Sequence, residues 1–446
     1  MASLTSLTGT GAFQAPSGAP LAFGTMTAAL QSDVTLADSQ ICAEKIVTFN
    51  LDANGNILSG SLWAPATYLF TAYSAQGQQV WQGLIALTIP PLPVGQSYFV
   101  HPNGNIRFVT PAQTINTLGI PVFSLISGLA IDGAGNLFVA DVTADRVYKV
   151  TPSLVVSVVA GTGSSGFSGD GGLATACTFS ALNQICCDVA GNLYIQDARR
   201  IRVVNTQSTT QTLLGISVAA GCIQTVAGNG SAGNNTGDGG AAISAHIFCH
   251  SGMCVSAAGL YFTTNNSSAY YFVRFINQSG VINTVAGSTS SYSTSSQDGV
   301  LATSAKFDLI SGISCDTAGN LYIVEQGAAV IYALNNQATT QTLFGVSVPS
   351  GYLKIVTGIF NTSQSSSGDG GPALSAHLYV PQWVSFDVSG NLYVYQNNAP
   401  AVRQVSTSTH IITTVIGTGV NGFSGDGGPA TSAKINAIIA PLAILR

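Results

Sequence analysis

Ser424-Gly425-Asp426-Gly427-Gly428-Pro429-Ala430-Thr431-Ser432-Ala433-Lys434 is the stretch whose recurrence decides the fold. Gly169-Asp170-Gly171-Gly172-Leu173-Ala174-Thr175 is an earlier copy, and Gly237-Asp238-Gly239-Gly240 and Gly368-Asp369-Gly370-Gly371-Pro372-Ala373 are two more. The most altered copy is Gln297-Asp298-Gly299, which still leads into Ala302-Thr303-Ser304-Ala305-Lys306. The five aspartates are spaced 68, 60, 71 and 57 residues apart. A period of that length marks an array of similar supersecondary units.

Between the loops each unit reads the same way. An apolar run ends in Asp, a turn follows, and a second apolar run begins: Leu129-Ala130-Ile131-Asp132-Gly133-Ala134-Gly135-Asn136-Leu137-Phe138-Val139. Further copies are Cys187-Asp188-Val189-Ala190-Gly191-Asn192, Cys315-Asp316-Thr317-Ala318-Gly319-Asn320 and Phe386-Asp387-Val388-Ser389-Gly390-Asn391. Gly-Asn offers the positive φ of a tight hairpin, and Asp bonds forward to turn amides. Third and fourth apolar runs follow, such as Ile201-Arg202-Val203-Val204 and Ile223-Gln224-Thr225-Val226-Ala227. Four strands per unit at a period near 60, with no helix beyond a turn or two, predict an all-β chain of propeller blades. These residues resemble NHL repeats, in the bacterial form whose blades end in Thr-Val-Ala-Gly and a Ser-Gly-Asp-Gly-Gly-Pro-Ala-Thr loop. The resemblance covers about three quarters of the chain and implies an NHL-type β-propeller; the fold hosts many functions.

From 127 to about 436 five blades are legible. The expected sixth joins a single strand from 437–446 to three strands from 97–119, giving a six-bladed propeller over 96–446 with no dangling edge. Residues 1–95 read as a separate small β-sandwich, and Ile89-Pro90-Pro91-Leu92-Pro93 (89–93) as a stiff linker. Gly18–Thr25, Leu51-Asp52-Ala53-Asn54-Gly55-Asn56 and Pro65–Tyr73 look like small β-domains of bacteriophage tail and tail-fibre proteins, which implies an attachment role. A generic adhesive domain is the alternative.

Composition narrows the partners. Only 7% of residues are charged, and 13 Lys and Arg against 18 Asp and Glu leave a net −5. With no basic cluster, a nucleic-acid partner is not expected. No apolar run reaches the roughly 18 residues of a spanning helix, so no membrane span is expected either. Met1–Thr10 lacks the features of a Sec signal peptide. The eight cysteines contain no Cys-x-x-Cys pair and read as buried thiols, with disulfides as the alternative.

Candidate chemistry is sparse. The loop aspartates Asp170, Asp238, Asp298, Asp369 and Asp426 read as turn or capping residues rather than metal ligands, because each loop offers one carboxylate and calcium takes six to eight oxygens. No cofactor is expected; calcium is the alternative. His246 and His377 share one repeat position and point to different parts of the ring. Six-bladed relatives include gluconolactonase-like hydrolases and an amidating lyase, which implies acidic and His ligands around a channel metal. Here the glutamates are Glu44 and Glu325, and positions beside the turns are Ala130, Cys186, Cys254, Ser314 and Ser385. No catalytic set is expected. Trp383, Tyr395, Tyr270, Tyr271, Arg199 and Arg200 near strand ends are candidates for a protein- or glycan-binding patch, with packing between blades as the alternative. The expected function is a non-enzymatic, virion-associated or extracellular binding protein with a receptor and other particle subunits as partners, and an oligomeric form is compatible with that role. A channel-metal hydrolase or lyase and a structural subunit of a tail or filament are the alternatives.

Overall fold

In a computed structural model the chain is all-β, and among the described residues its helices are limited to single 3-10 turns. The structure describes residues 123–436 except 232, 234, 266–269, 289–294 and 362–364, plus 97–100, 106–110, 113–118 and 443–444. Before residue 97 it describes only the backbone of seven strands. Five of these form one antiparallel sheet, in the order Ile57–Ser59, Val47–Leu51, Thr25–Leu30, Thr67–Tyr73 and Gln79–Ala86. The expected linker at 89–93 lies outside the described residues.

Six four-stranded antiparallel sheets make a six-bladed β-propeller. Blade 1 comprises Ile126–Ile131, Leu137–Asp141, Arg146–Val150 and Val156–Ala160. Blade 2 comprises Leu182–Cys187, Leu193–Asp197, Arg200–Val204 and Ile223–Ala227; blade 3 comprises Cys249–Ser256, Gly259–Asn265, Tyr271–Asn277 and Ile282–Ala286. Blade 4 is Ile310–Cys315, Leu321–Glu325, Val330–Leu334 and Leu353–Thr357, and blade 5 is Pro381–Phe386, Leu392–Gln396, Ala401–Val405 and Ile412–Ile416. Blade 6 pairs Ala443–Ile444 with Ser97–Val100, followed by Ile106–Val109 and Ile115–Thr117. First strands neighbour one another in the order 1-2-3-4-5-6-1, so the ring is closed. In blades 2 and 4 a separate hairpin, Gln211–Leu213 with Ile216–Val218 and Gln341–Leu343 with Val346–Val348, is inserted between the third and fourth strands.

The core lies between blades. Second strands are apolar on both faces, as in Leu321–Glu325, where all five residues are buried. Each face packs on a neighbouring blade, which removes the polar–apolar alternation of a half-exposed strand. The hairpin between first and second strands is fixed by its aspartate. Asp132 Oδ1 accepts from the Ala134 and Asn136 amides at 3.0 and 2.8 Å, and Asn136 Nδ2 donates to Asp132 Oδ2 at 2.7 Å. Asp188, Asp316 and Asp387 hold Asn192, Asn320 and Asn391 in the same way. Glycine alone takes the left-handed conformation there (Gly191 at φ 88°), and the asparagine instead links onward. Asn192, Asn320 and Asn391 accept the amides of Thr206, Asn336 and Thr407, tying the first hairpin to the end of the third strand.

The recurrent loop has a different task. Gly171 donates to the Ile223 carbonyl at 2.9 Å, and the Ile223 amide donates to Gly172 O at 3.0 Å. The same two-bond exchange joins Gly239 and Gly240 to Ile282, Gly299 and Val300 to Leu353, Gly370 and Gly371 to Ile412, and Gly427 and Gly428 to Ile115. Each partner begins the outermost strand of the following blade. The loop therefore clips the exposed edge of the next sheet, whose groups would otherwise invite pairing with another chain.

The loop aspartate neither caps the 3-10 turn nor sits free in solvent. It forms an ion pair with a buried arginine on the third strand of the following blade: Asp170 with Arg202 at 2.9 Å, Asp238 with Arg274 at 2.6 Å and Asp369 with Arg403 at 2.6 Å. Asp426 reaches Arg107 likewise across the ring closure. Each guanidinium also bonds loop carbonyls. Arg403 takes His377 O and Ser367 O, both at 3.0 Å, and Arg202 takes Thr178 O and Ser168 O at 2.9 and 2.7 Å. These charge-assisted bonds offset the desolvation of an arginine that is fully buried. Burial alone pushes the Asp369 carboxyl up, but bonds from Thr414 and Arg403 outweigh it and hold it below the usual carboxylate range.

Candidate functional site

The end of the ring where first strands begin and second strands end is here called the upper face. On it, the first strand of blades 1 to 5 carries a β-bulge. A bulge re-aims side chains and interrupts pairing. The residues thrown out are Ser127, Asn183 and Gln184, His250 to Gly252, Ser311 and Gln382. Several bridge adjacent blades. Ser127 Oγ donates to Asn183 O at 2.8 Å and Gln184 Nε2 to Ser127 O at 2.9 Å. Ser251 Oγ donates to Ile310 O at 2.9 Å, and Ser311 Oγ to Pro381 O at 3.1 Å. Glycine at the bulge permits this approach: a Cβ on Gly312 would stand 2.5 Å from Gln382 O.

Across blades 3, 4 and 5 the bulges border a cleft of about 160 Å³ lined by His250, Ser251, Leu309, Ser311, Gln326, Gln382 and Trp383. Tyr271 meets the His250 ring edge-on at 5.1 Å. His250 Nδ1 lies 2.8 Å from Ser251 Oγ. The hydroxyl proton is committed to Ile310 O, so Nδ1 donates and Nε2 is left as an acceptor. Burial pulls the imidazole below its ordinary value and favours the neutral ring. The Gln326 and Gln382 side-chain amides make no hydrogen bond among the described residues. The Trp383 indole N–H is buried without an acceptor. A wider groove of about 560 Å³ on the outer rim, along Val346, Ile355, Phe360 and Leu374, has few convergent polar groups beyond the Asp298–Lys354 pair.

All six residues singled out from sequence stand at the upper end of their blades, and the structure separates them. Trp383 lines the cleft and Tyr271 borders it through His250. Arg199 lies over the exposed Phe248 ring at 5.6 Å, and Arg200 over Phe167 at 3.7 Å, both away from the cleft. Tyr270 precedes the third strand of blade 3 and is partly exposed. Tyr395 is corrected: it is fully buried against Phe99, Val402 and Ile416 and donates to Asn397 Oδ1 at 3.1 Å. Its ring is sandwiched between blades 5 and 6 rather than turned to solvent. His250 stands alone in the sequence and reads there as an exposed or capped histidine, while Gln326 and Gln382 escaped the sequence reading. The signal for the bulges was present, in a polar residue directly before glycine at the start of an apolar run: Ser127-Gly128, Ser251-Gly252 and Ser311-Gly312.

Glu325 closes the second strand of blade 4, just below the cleft. Its Oε1 accepts the Asp308 amide at 3.0 Å, and Oε2 is buried without a hydrogen bond. Burial pushes this carboxyl up to about 7, with Asp308 adding to the effect. Among the described residues, no three His, Cys, Asp or Glu side chains cluster to hold a metal ion, and no helix is long and apolar enough to cross a membrane. The seven described cysteines form no disulfide with one another.

No family model matches the chain, and no curated protein matches it. Solved structures do. A protein of unknown function from Bacteroides thetaiotaomicron aligns at 14% identity and TM-score 0.45 over 93% of this chain and 84% of its own. An auxiliary nutrient binding protein from the same organism aligns at 11% identity and TM-score 0.43, covering 89% of this chain and 88% of its own. Virginiamycin B lyase from Staphylococcus aureus aligns at 12% identity and TM-score 0.37, covering 79% and 82%. None of these likenesses transfers an activity to this chain.

Proposed function

We propose that this chain is a non-enzymatic binding protein that acts outside the cell, associated with a virion or tail-like particle, and presents its upper face to a receptor. The observation that carries this reading is the uncharged cleft at the upper face. Its aromatic wall and unengaged amides suit recognition, and the serine beside its histidine, Ser251, spends its hydroxyl proton on the Ile310 carbonyl rather than standing poised as a nucleophile. The NHL-type repeat and the tail-like first 95 residues support the same reading: one part attaches, the other meets a receptor. Display of many copies would strengthen a weak contact by multivalency.

The test is localisation and adsorption. Purified particles are expected to contain the protein, and added full-length chain is expected to compete with them for the host surface. Turnover of a lactone or peptide by the free chain would overturn the reading in favour of a hydrolase or lyase. Presence in particles without any competition would instead favour a structural subunit.

A further inference from the structure

The chemistry of the upper-face cleft says more than that something binds. No charged side chain lines it, and its histidine is kept neutral by burial. A charged ligand would leave water for a site with no counter-charge, at a large desolvation cost. The lining divides into two kinds of group. Trp383 and Leu309 supply flat and aliphatic surface. Gln326 and Gln382 each supply an amide donor and a carbonyl acceptor, and His250 Nε2 supplies a further acceptor. A hydroxyl needs both a donor and an acceptor nearby, and a carboxamide presents both on one plane. The cleft is smaller than the 300 Å³ or so at the low end of drug-sized sites, which limits the occupant to about one ring. A ligand that is neutral, ring-sized, rich in hydroxyls and apolar on one face meets each requirement.

We infer that the cleft is a subsite for one neutral pyranose residue of a glycan. Its C–H face lies on Trp383 and Leu309, and its hydroxyls bond Gln326, Gln382 and His250. This inference rests on the binding reading above and narrows it from receptor to sugar. A peptide would be expected to need a longer groove or a sheet edge to satisfy its backbone, and the clips cover the edges of blades 2 to 6.

The experiment is a titration of the full-length chain with the methyl glycosides of glucose, galactose, mannose and N-acetylglucosamine, and with glucuronic acid, followed by saturation-transfer NMR. At least one neutral glycoside is expected to bind saturably, and glucuronic acid more weakly than its neutral counterpart. Gln382→Ala and Gln326→Ala are each expected to weaken binding about tenfold, on the scale of one lost hydrogen bond. Trp383→Ala is expected to abolish it, and the glutamine variants keep the test valid if Trp383→Ala fails to fold. Melting curves verify the fold of each. No saturable binding of any neutral glycoside, or binding unchanged in both glutamine variants, would overturn the sugar assignment. If full-length chain then still competes for the host surface, the receptor-binding reading stands and only the sugar falls.

Discussion

The junction from blade 4 to blade 5 and the junction from blade 3 to blade 4 do the same task with different parts. In the first, Gly368 opens the loop, Asp369 meets buried Arg403, and the guanidinium ties down two loop carbonyls. In the second, Gln297 replaces the glycine and Tyr332 replaces the arginine. The Gln297 amide donates to the tyrosine hydroxyl at 3.1 Å, and its side-chain carbonyl accepts the Lys306 amide at 3.0 Å. Asp298 turns outward to Lys354, where both partners are about a third exposed. What survives is the backbone exchange between Gly299, Leu353 and Val300, together with the bond each aspartate accepts from the outer-strand amide, Ile355 at 2.8 Å in one and Thr414 at 3.1 Å in the other. The clip and the aspartate's bond to the outer strand are therefore kept at both junctions, and the buried arginine pair is one of two ways to brace them.

That contrast can be broken most severely at the ring closure. Removing residues 437–446 strips blade 6 of its first strand and is expected to cost more than the roughly 5 kcal/mol that marks the upper range for single substitutions. Loss of a cooperative melting transition checks it. Next comes the brace itself. Arg403→Ala leaves Asp369 and two carbonyls without their partner and is expected to cost about 3 kcal/mol, by analogy with broken buried pairs discounted for the exposed aspartate. Tyr332→Phe removes one hydrogen bond at the altered junction and is expected to cost about 1 kcal/mol. Denaturant midpoints for the two variants give the comparison directly, and equal losses would refute it.

The altered junction also changes how the protein responds to pH. Blade 2 sets Asp197 beside Arg202 at 3.4 Å, whereas in blade 4 the equivalent Glu325 faces Tyr332 and Asp308 and has no cation. Its folded pKa of about 7 lies above the ordinary 4.5. The resulting stabilisation is complete below the ordinary value and is lost as pH rises through about 7. Stability is expected to fall by about 3 kcal/mol between pH 5 and pH 9 through this group. Glu325→Gln should flatten that dependence, and an unchanged slope would show that another group governs it. The smallest effect belongs to the exposed pair: Lys354→Met is expected to change stability by less than about 1 kcal/mol.

Much of the ring was legible because its turns are spelled in the chain. Asp132, Gly135 and Asn136 carry a hairpin by local bonds, so their spacing alone locates it. The loop glycines were equally visible, but their purpose was not. Gly171 bonds Ile223 and Asp170 bonds Arg202, partners 52 and 32 residues away, and nothing local announces such pairs. Arg107, Arg202, Arg274 and Arg403 do occupy one repeat position, with Tyr332 at the same place in blade 4, and that alignment was the available clue. The cleft was harder still. His250 and Gln382 meet only because bulges on separate blades re-aim them, and a bulge has a weak local signature.

The mixed construction of blade 6 has a consequence for how the protein is made. Its second, third and fourth strands lie at 97–117, and its first at 443–444. During synthesis those early strands wait while more than 300 intervening residues are added. Over that interval Tyr98, Phe99 and Ile115, all buried in the finished ring, have no complete sheet to enter. Blade 6 is thus the last to form and the sheet most open to capture by a neighbouring nascent chain. The spacing of neighbouring nascent chains is therefore expected to bear on the yield of this protein alongside the stability of the closed ring.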